Sequence, residues 1–549
     1  MEDRRRWLQI LVPALLVGTS AVLMLGGLNQ PDRIIFDETY YVNDARDMLE
    51  QGVERGFVVH PPVGKQMIAM SIRLFGDNPA GWRMLGGAAG VACVLLTYLM
   101  GKRLFRRTAP AALAALLVVV DGVFLVQART AMLDIYLALW IVLGAWALLV
   151  HAQRTQAADE ALVAADPGPR DHLPPRDIRF LVLAGIAFGL AAATKWSGVL
   201  ALGAGGLVAI AIEVQRRRRL LSTWRARPGR GIGLIAATLV AIPLATYLVT
   251  WTPWIMNFGN SYQGEKECGD TESCSTPVTT RAAGLWRFHK SVYTFHSDLD
   301  ADHSYRAEAW TWPVLARPVV YYYETCSQDR FDRVEETEED GTVTTPDRCL
   351  VDRGEAGEVL AVGNPVLWWL FLPSLLVLVG ASVRGDPRAA FPLTFYAAQF
   401  LPWLIVSRPV FSFYAVPIVP FMALGIGAVT ARLADRENDL RPVIGGLLGM
   451  VGGLLLVLIR DLTGGSMTRP TYGLVAAALA TMGAVAAART APDDRRPWLP
   501  APPSPAARWT IAAIAVLAVG VAVYFLPIWL GIPLDHDAVR GRWWFRGWI

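Results

Sequence analysis

Two adjacent carboxylates, Asp37 and Glu38, open a polar stretch that closes on the run His60-Pro61-Pro62-Val63-Gly64-Lys65. Further along, ionisable residues within or at the ends of apolar segments are few, among them Asp121, Arg129, Asp134 and Lys195. Charged groups are expensive in a bilayer, so each is a candidate for function. A carboxylate can take the proton of a hydroxyl. Arginine and lysine can hold a phosphate while charge develops on it. A lipid-phosphate sugar donor carries its own good leaving group, so one base and a cationic cradle suffice, unlike the carboxylate pair of a glycoside hydrolase. The candidates are therefore Asp37 and Glu38 for catalysis, and Arg129, Lys195, His60, Lys65, Asp121 and Asp134 for substrate binding.

Each candidate also has a plainer role. Asp37 can be the N-cap of an amphipathic helix over 38–50, whose Tyr41, Ala45, Met48 and Leu49 share a face. Lys195 can snorkel to the interface. Arg129 and Asp134 can form a structural ion pair. Asp37, Glu38, Asp121 and Asp134 have the chemistry to bind a divalent cation that helps neutralise a phosphate. No spacing requires one, and no metal is assigned.

The elements that must position these residues are membrane helices. Of 549 residues, 54% are hydrophobic and only 18% charged, and mean hydropathy is +0.36. That composition excludes an ordinary soluble domain. The net charge of +4 is carried in short basic runs that read as topology signals, not as a nucleic-acid surface. Apolar segments of spanning length lie near 8–28, 84–101, 110–127, 131–151, 179–195, 198–214, 231–251, 365–383, 389–406, 410–431, 442–459, 471–488 and 508–531. An all-α polytopic membrane protein with about 11–13 transmembrane helices is expected. The arginines before the first segment resemble a secretory signal, but the segment is long enough to span and no clean cleavage pattern follows, so it is read as a retained span.

Basic connections at 101–107, 215–230, 384–388 and 488–498 alternate with connections poor in Lys and Arg. The positive-inside rule then puts the N-terminus inside and three polar regions outside: 29–81, 252–364 and the tail 532–549. All the candidate residues fall at that outer face. The stretches 154–177 and 497–505 read as cytoplasmic linkers without a packed core. Cys93 lies in an apolar run. Cys268, Cys274, Cys326 and Cys349 share one outer loop, and local spacing favours the pairs Cys268–Cys274 and Cys326–Cys349 among three pairings.

FDETYY (36–41), HPPVGK (60–65), DGVFLVQARTAMLD (121–134), ATKWSG (193–198) and the aromatic, basic tail together resemble the protein O-mannosyltransferases (glycosyltransferase family 39), in their shorter bacterial, actinobacterial-type form. The resemblance covers essentially the whole chain and implies a single membrane domain of the C-type glycosyltransferase (GT-C) fold. It implies transfer of mannose from polyprenyl-phosphate mannose to Ser or Thr hydroxyls of secreted or membrane proteins, with inversion at the anomeric carbon. Asp37 matches the general base, Glu38 a residue positioning acceptor or donor, and Arg129 an arginine that recognises the donor phosphate. Fungal and animal relatives carry a β-trefoil domain in the large loop; residues 252–364 show no β pattern of that size. The implied setting is a bacterial plasma membrane with the site facing outward, and the secretion channel is a candidate partner.

Two other readings use the same residues. One is a GT-C enzyme with a cell-wall glycan or lipid acceptor, which needs the same base and cations. The other is a transporter, which calls for ionisable residues near mid-bilayer and often for internal repeats. Here the charges gather at one face, and no repeat is visible.

Overall fold

The computed structural model describes residues 2–56, 59–221, 229–269, 276–300, 303–326, 336–337, 343–344, 349–352, 354–434 and 505–548. Each expected apolar segment in this set falls on a helix. Seven helices among the described residues are long and apolar enough to cross a membrane: Pro79–Phe105, Leu133–Ala165, Gly198–Leu220, Gly229–Thr250, Pro365–Val383, Ser412–Ala434 and Ala507–Leu530. Two shorter apolar helices, Gln9–Leu25 and Arg179–Ala192, accompany them. The expected spans 442–459 and 471–488, the linker 497–505 and Cys274 lie wholly or mainly outside the described residues.

The segment expected as one span over 110–127 is broken. Helices α5 (Thr108–Val119) and α6 (Gly122–Arg129), if counted as one span, are bent by 59° where they meet. The cause is local. Asp121 caps α6, accepting the Phe124 N–H at 3.0 Å. Its other oxygen accepts the Asn364 N–H at 2.9 Å and the Trp368 indole N–H at 2.8 Å. Gly122 lets Trp529 and the Val362 carbonyl approach so closely that a β-carbon there would lie about 2 Å from both. The turn is therefore pinned to the start of helix Pro365–Val383 and to the last long helix.

Helix α7 (Leu133–Ala165) is buried along most of its length and forms the centre of the bundle. At the periphery, Gly229–Thr250 exposes Leu244, Leu248 and Val249, as a lipid-facing helix does. The linker expected at 154–177 is corrected in part: α7 continues to Ala165, and Asp159 is buried in a 2.9 Å ion pair with Arg216. Glu213 pairs with both Arg176 and Arg217. The arginine run at 216–219 thus packs in part against this extension of α7.

The three regions expected outside come together. Strand β1 (Val319–Thr325) pairs antiparallel with β2 (Glu355–Ala361), and β2 pairs with β3 (Leu534–Asp535) of the C-terminal tail. This small sheet is an addition to the all-α expectation. Arg33 of the first polar region stands 3.6 Å from Glu324 of β1, and His296 of helix Val278–Asp298 lies 2.9 Å from the Val59 carbonyl. Cys326 and Cys349 are disulfide-bonded beside the sheet, with Cα atoms 5.9 Å apart.

Candidate active site

The backbone at Phe36 has φ of +49°, a left-handed conformation that a bulky side chain rarely adopts. Its ring is clamped by stacking on Tyr321, centroids 4.2 Å apart, and by an edge contact with Phe413 at 5.6 Å. Tyr321 sits where the register of β1 shifts, between Val320 and Tyr322, and Gln127 donates to its hydroxyl at 2.5 Å. Such bulges re-aim side chains beside active sites, and strain of this kind survives only where the surroundings over-determine it.

Asp37 follows immediately. It occupies the N-cap position of α2 (Glu38–Gln51), yet its side chain makes no capping bond. Among the described residues no hydrogen bond or ion pair engages its carboxylate. Burial pushes its pKa up to about 6; the Lys195 ammonium acts against that rise and the Asp134 carboxylate adds to it. Asp37 is thus a half-buried carboxylate without a structural task, and the capping role does not hold.

Glu38 is the reverse. It is fully buried, and Arg83 grips both its oxygens at 2.7 Å. The backbone N–H groups of Ile35 and Ala131 donate to it at 3.0 and 2.9 Å. Arg83 also donates to the carbonyls of Leu28, Pro31 and Arg33. The pair ties the turn before Asp37 to α4 (Pro79–Phe105) and to the link between α6 and α7. Glu38 thus fixes where Asp37 stands, its carboxylate accepting four hydrogen bonds from protein donors.

Lys195, at the end of α8 (Arg179–Ala192), forms a buried 2.7 Å ion pair with Asp134 in the first turn of α7. Its ammonium also lies 5.1 Å from the centre of the Tyr414 ring. Both line a cleft of about 280 Å³ together with His60, Trp196, His296 and Arg408. The Arg408 guanidinium stacks near the Tyr414 and Trp403 rings, at 5.6 and 5.8 Å, and no carboxylate among the described residues pairs with it. Two cations therefore flank one ring while only one of them has a counter-charge, which suits an anionic ligand. The His60 and His296 rings stack 5.3 Å apart. Burial, then the charge of Lys195, holds His60 well below the usual histidine range. Burial, then Arg408, lowers His296 to about 4. Both are neutral imidazoles at neutral pH.

Four candidates are engaged by protein groups away from this cleft. Arg129 donates to the carbonyls of Leu23, Gly26 and Gly27 at 2.6, 2.6 and 3.0 Å, capping the end of α1 (Glu2–Leu25). Three of its five N–H donors are spent on these carbonyls. Lys65 is fully buried between Glu54 at 2.9 Å and Asp44 at 3.3 Å, joining α2 to α3 (Val63–Phe75). Although burial alone would lower its pKa, Glu54 and then Asp44 raise it, so it stays a structural cation. Asp121 holds the helix break, and Glu38 is taken by Arg83. Of the four carboxylates considered for a cation, Glu38 and Asp121 are thereby held by protein donors. Among the described residues, no group of three or more His, Cys, Asp or Glu side chains could hold a metal.

A polytopic bundle with an unengaged carboxylate beside a cationic cleft at one face defines a glycosyltransferase of the GT-C class. The fold agrees: a solved structure of the S. cerevisiae protein O-mannosyltransferase Pmt1–Pmt2 complex bound to the sugar donor matches with a TM-score of 0.68 at 13% identity, over 98% of this chain and 92% of that one. Residues 80–258 match the dolichyl-phosphate-mannose-protein mannosyltransferase family, and residues 282–548 match the C-terminal four TMM region of protein-O-mannosyltransferase. A polyprenol-phosphate-mannose–protein mannosyltransferase of Mycolicibacterium smegmatis (strain MKD8) is 33% identical, over 80% of this chain and 84% of that protein. Its counterpart in Mycobacterium tuberculosis (strain CDC 1551 / Oshkosh) is 32% identical, over 78% and 81%. The chain belongs to the protein mannosyltransferase family.

Proposed function

We propose that this chain transfers mannose from polyprenyl-phosphate mannose to Ser or Thr hydroxyls of proteins, with inversion at the anomeric carbon. The observation that carries the reading is the pairing of an unengaged carboxylate, Asp37, with the cationic cleft of Lys195 and Arg408. In the proposed step Asp37 takes the proton of the acceptor hydroxyl, whose oxygen attacks the anomeric carbon from the face opposite the phosphate. The bond from that carbon to the phosphate oxygen breaks, and polyprenyl phosphate leaves. Its phosphate passes from a singly charged diester to a doubly charged monoester. Lys195 and Arg408 meet that added charge, worth most in a site shielded from water. Asp134 orients Lys195. The reading needs no divalent cation, because these two side chains supply the positive charge.

The basic connections support an orientation with the N-terminus inside and the site outside the plasma membrane of a bacterium. The names of the relatives support a protein acceptor over a glycan or lipid. Incubating purified protein with synthetic polyprenyl-phosphate mannose and a Ser/Thr peptide tests the reading. The expected product is peptide heavier by one hexose in α linkage. Donor consumption with bare peptide would move the acceptor to a glycan or lipid.

A further inference from the structure

The sheet and the C-terminal tail enclose a second cleft, of about 730 Å³, apart from the one that holds Lys195 and Arg408. Its size is that of small-ligand sites in general. Tyr305, Tyr323 and Trp543 give it aromatic walls, and His536 and Arg540 stand among its lining residues. Glu358 of β2 lines it too, directly across the sheet from Tyr323.

Glu358 is the unusual member. It is 1% exposed, and among the described residues its carboxyl group has a single donor, the Trp543 indole N–H, shared between the two oxygens at 3.1 and 3.0 Å. A carboxyl group has about four acceptor positions. Burying one so thinly satisfied is costly unless a ligand completes it. Burial pushes its pKa up to about 7, so near neutral pH it both accepts and donates hydrogen bonds. Arg540 is exposed, with no carboxylate among the described residues paired to it. The Tyr323 hydroxyl lies 3.1 Å from His536 Nε2, which fixes the ring as one wall.

Aromatic faces beside a buried carboxyl group and further polar donors suit a polyhydroxylated ring. The C–H face of a sugar packs on aromatic rings while its hydroxyls bond to the carboxyl, imidazole and guanidinium groups. The cleft is also close to the reaction. Tyr321, stacked on Phe36 next to Asp37, and Tyr323, in the cleft wall, are two residues apart on β1, about 7 Å of extended backbone. We propose that this cleft binds a hexose already attached to the acceptor polypeptide, so that the enzyme holds a mannosylated acceptor while modifying a nearby hydroxyl. This inference rests on the reading of the chain as a protein mannosyltransferase.

The test compares two Ser/Thr peptides of one sequence, one bare and one carrying a single α-mannose a few residues from a free hydroxyl. Dissociation constants and transfer rates are measured on the full-length protein in detergent. For wild type, the mannosylated peptide is expected to bind about tenfold more tightly. Glu358→Gln should abolish that preference while transfer to the bare peptide is unchanged. Tyr323→Ala, at an exposed position where folding is not at stake, should do the same. Equal affinities in wild type, or a preference that survives both substitutions, would overturn the proposal while leaving the transfer reaction intact. Absence of transfer from wild type to either peptide would overturn the functional reading and this inference with it.

Discussion

The Lys195 ammonium lies 2.7 Å from the Asp134 carboxylate, and both side chains are nearly buried at the wall of the cleft. The pair holds the cation in place at the cleft wall, beside the Tyr414 ring. Lys195→Ala is expected to lower kcat/KM for the donor about 100- to 1000-fold, the usual loss when a charge-stabilising donor is removed from a transition state. Asp134→Asn should also be severe, because it acts through Lys195, and the double variant should be little worse than Lys195→Ala alone. Effects that multiply independently would separate the two residues.

The acid limb of the pH profile tests the environment of Asp37. A general base must be unprotonated to act. With its carboxyl pushed up to about 6, kcat/KM should be level above that pH and fall about tenfold per unit below it. A rate holding steady down to pH 4 would mean that the base is a carboxylate of ordinary acidity and stands elsewhere.

Arg129 separates a structural cation from a phosphate ligand. Its hydrogen bonds go to the last carbonyls of α1 and the turn after it. Arg129→Ala should cost about 3 kcal/mol of stability, seen as a lower thermal midpoint in detergent, because charged hydrogen bonds to buried carbonyls are lost. Donor affinity of the protein that remains folded should change less than about twofold. Unchanged stability with weakened donor binding would return Arg129 to the phosphate.

Orientation is tested at Arg55, an exposed residue of the first polar region. In whole cells, Arg55→Cys should react with a membrane-impermeant thiol reagent. Labelling only after lysis would invert the topology and put the site inside.

Charge sparsity in an apolar chain was a good guide to which residues matter and a poorer guide to what they do. Asp37, Asp134, Lys195 and His60 stand out in the sequence and gather at the cleft and beside it. Arg129, Asp121, Lys65 and Glu38 stand out equally, yet each closes a helix end or pairs with another buried charge. An ionisable residue near lipid must be satisfied somewhere, and sequence does not show whether its partner is substrate or protein. The missed residues come from distant parts of the chain. His296 arrives on helix Val278–Asp298, and Arg408 on the turn before Tyr414. Arg408 had a signal, being the one basic residue in the short connection 407–409 between two apolar segments. Arg83 had one as well, lying just inside an apolar helix. The break at Asp121 was hidden because both halves are apolar and the contacts with Asn364, Trp368 and Trp529 that pin the turn come from distant parts of the chain.

The most direct test of the central claim is Asp37→Asn. The substitution keeps shape and removes only the base, at a side chain with no partner to lose among the described residues. Binding of polyprenyl-phosphate mannose and single-turnover transfer to a Ser/Thr peptide should be measured on the same preparation. The expected result is donor affinity within about threefold of wild type and transfer reduced at least about 100-fold. Transfer at the wild-type rate by a folded, donor-bound variant would contradict the account and require a different base.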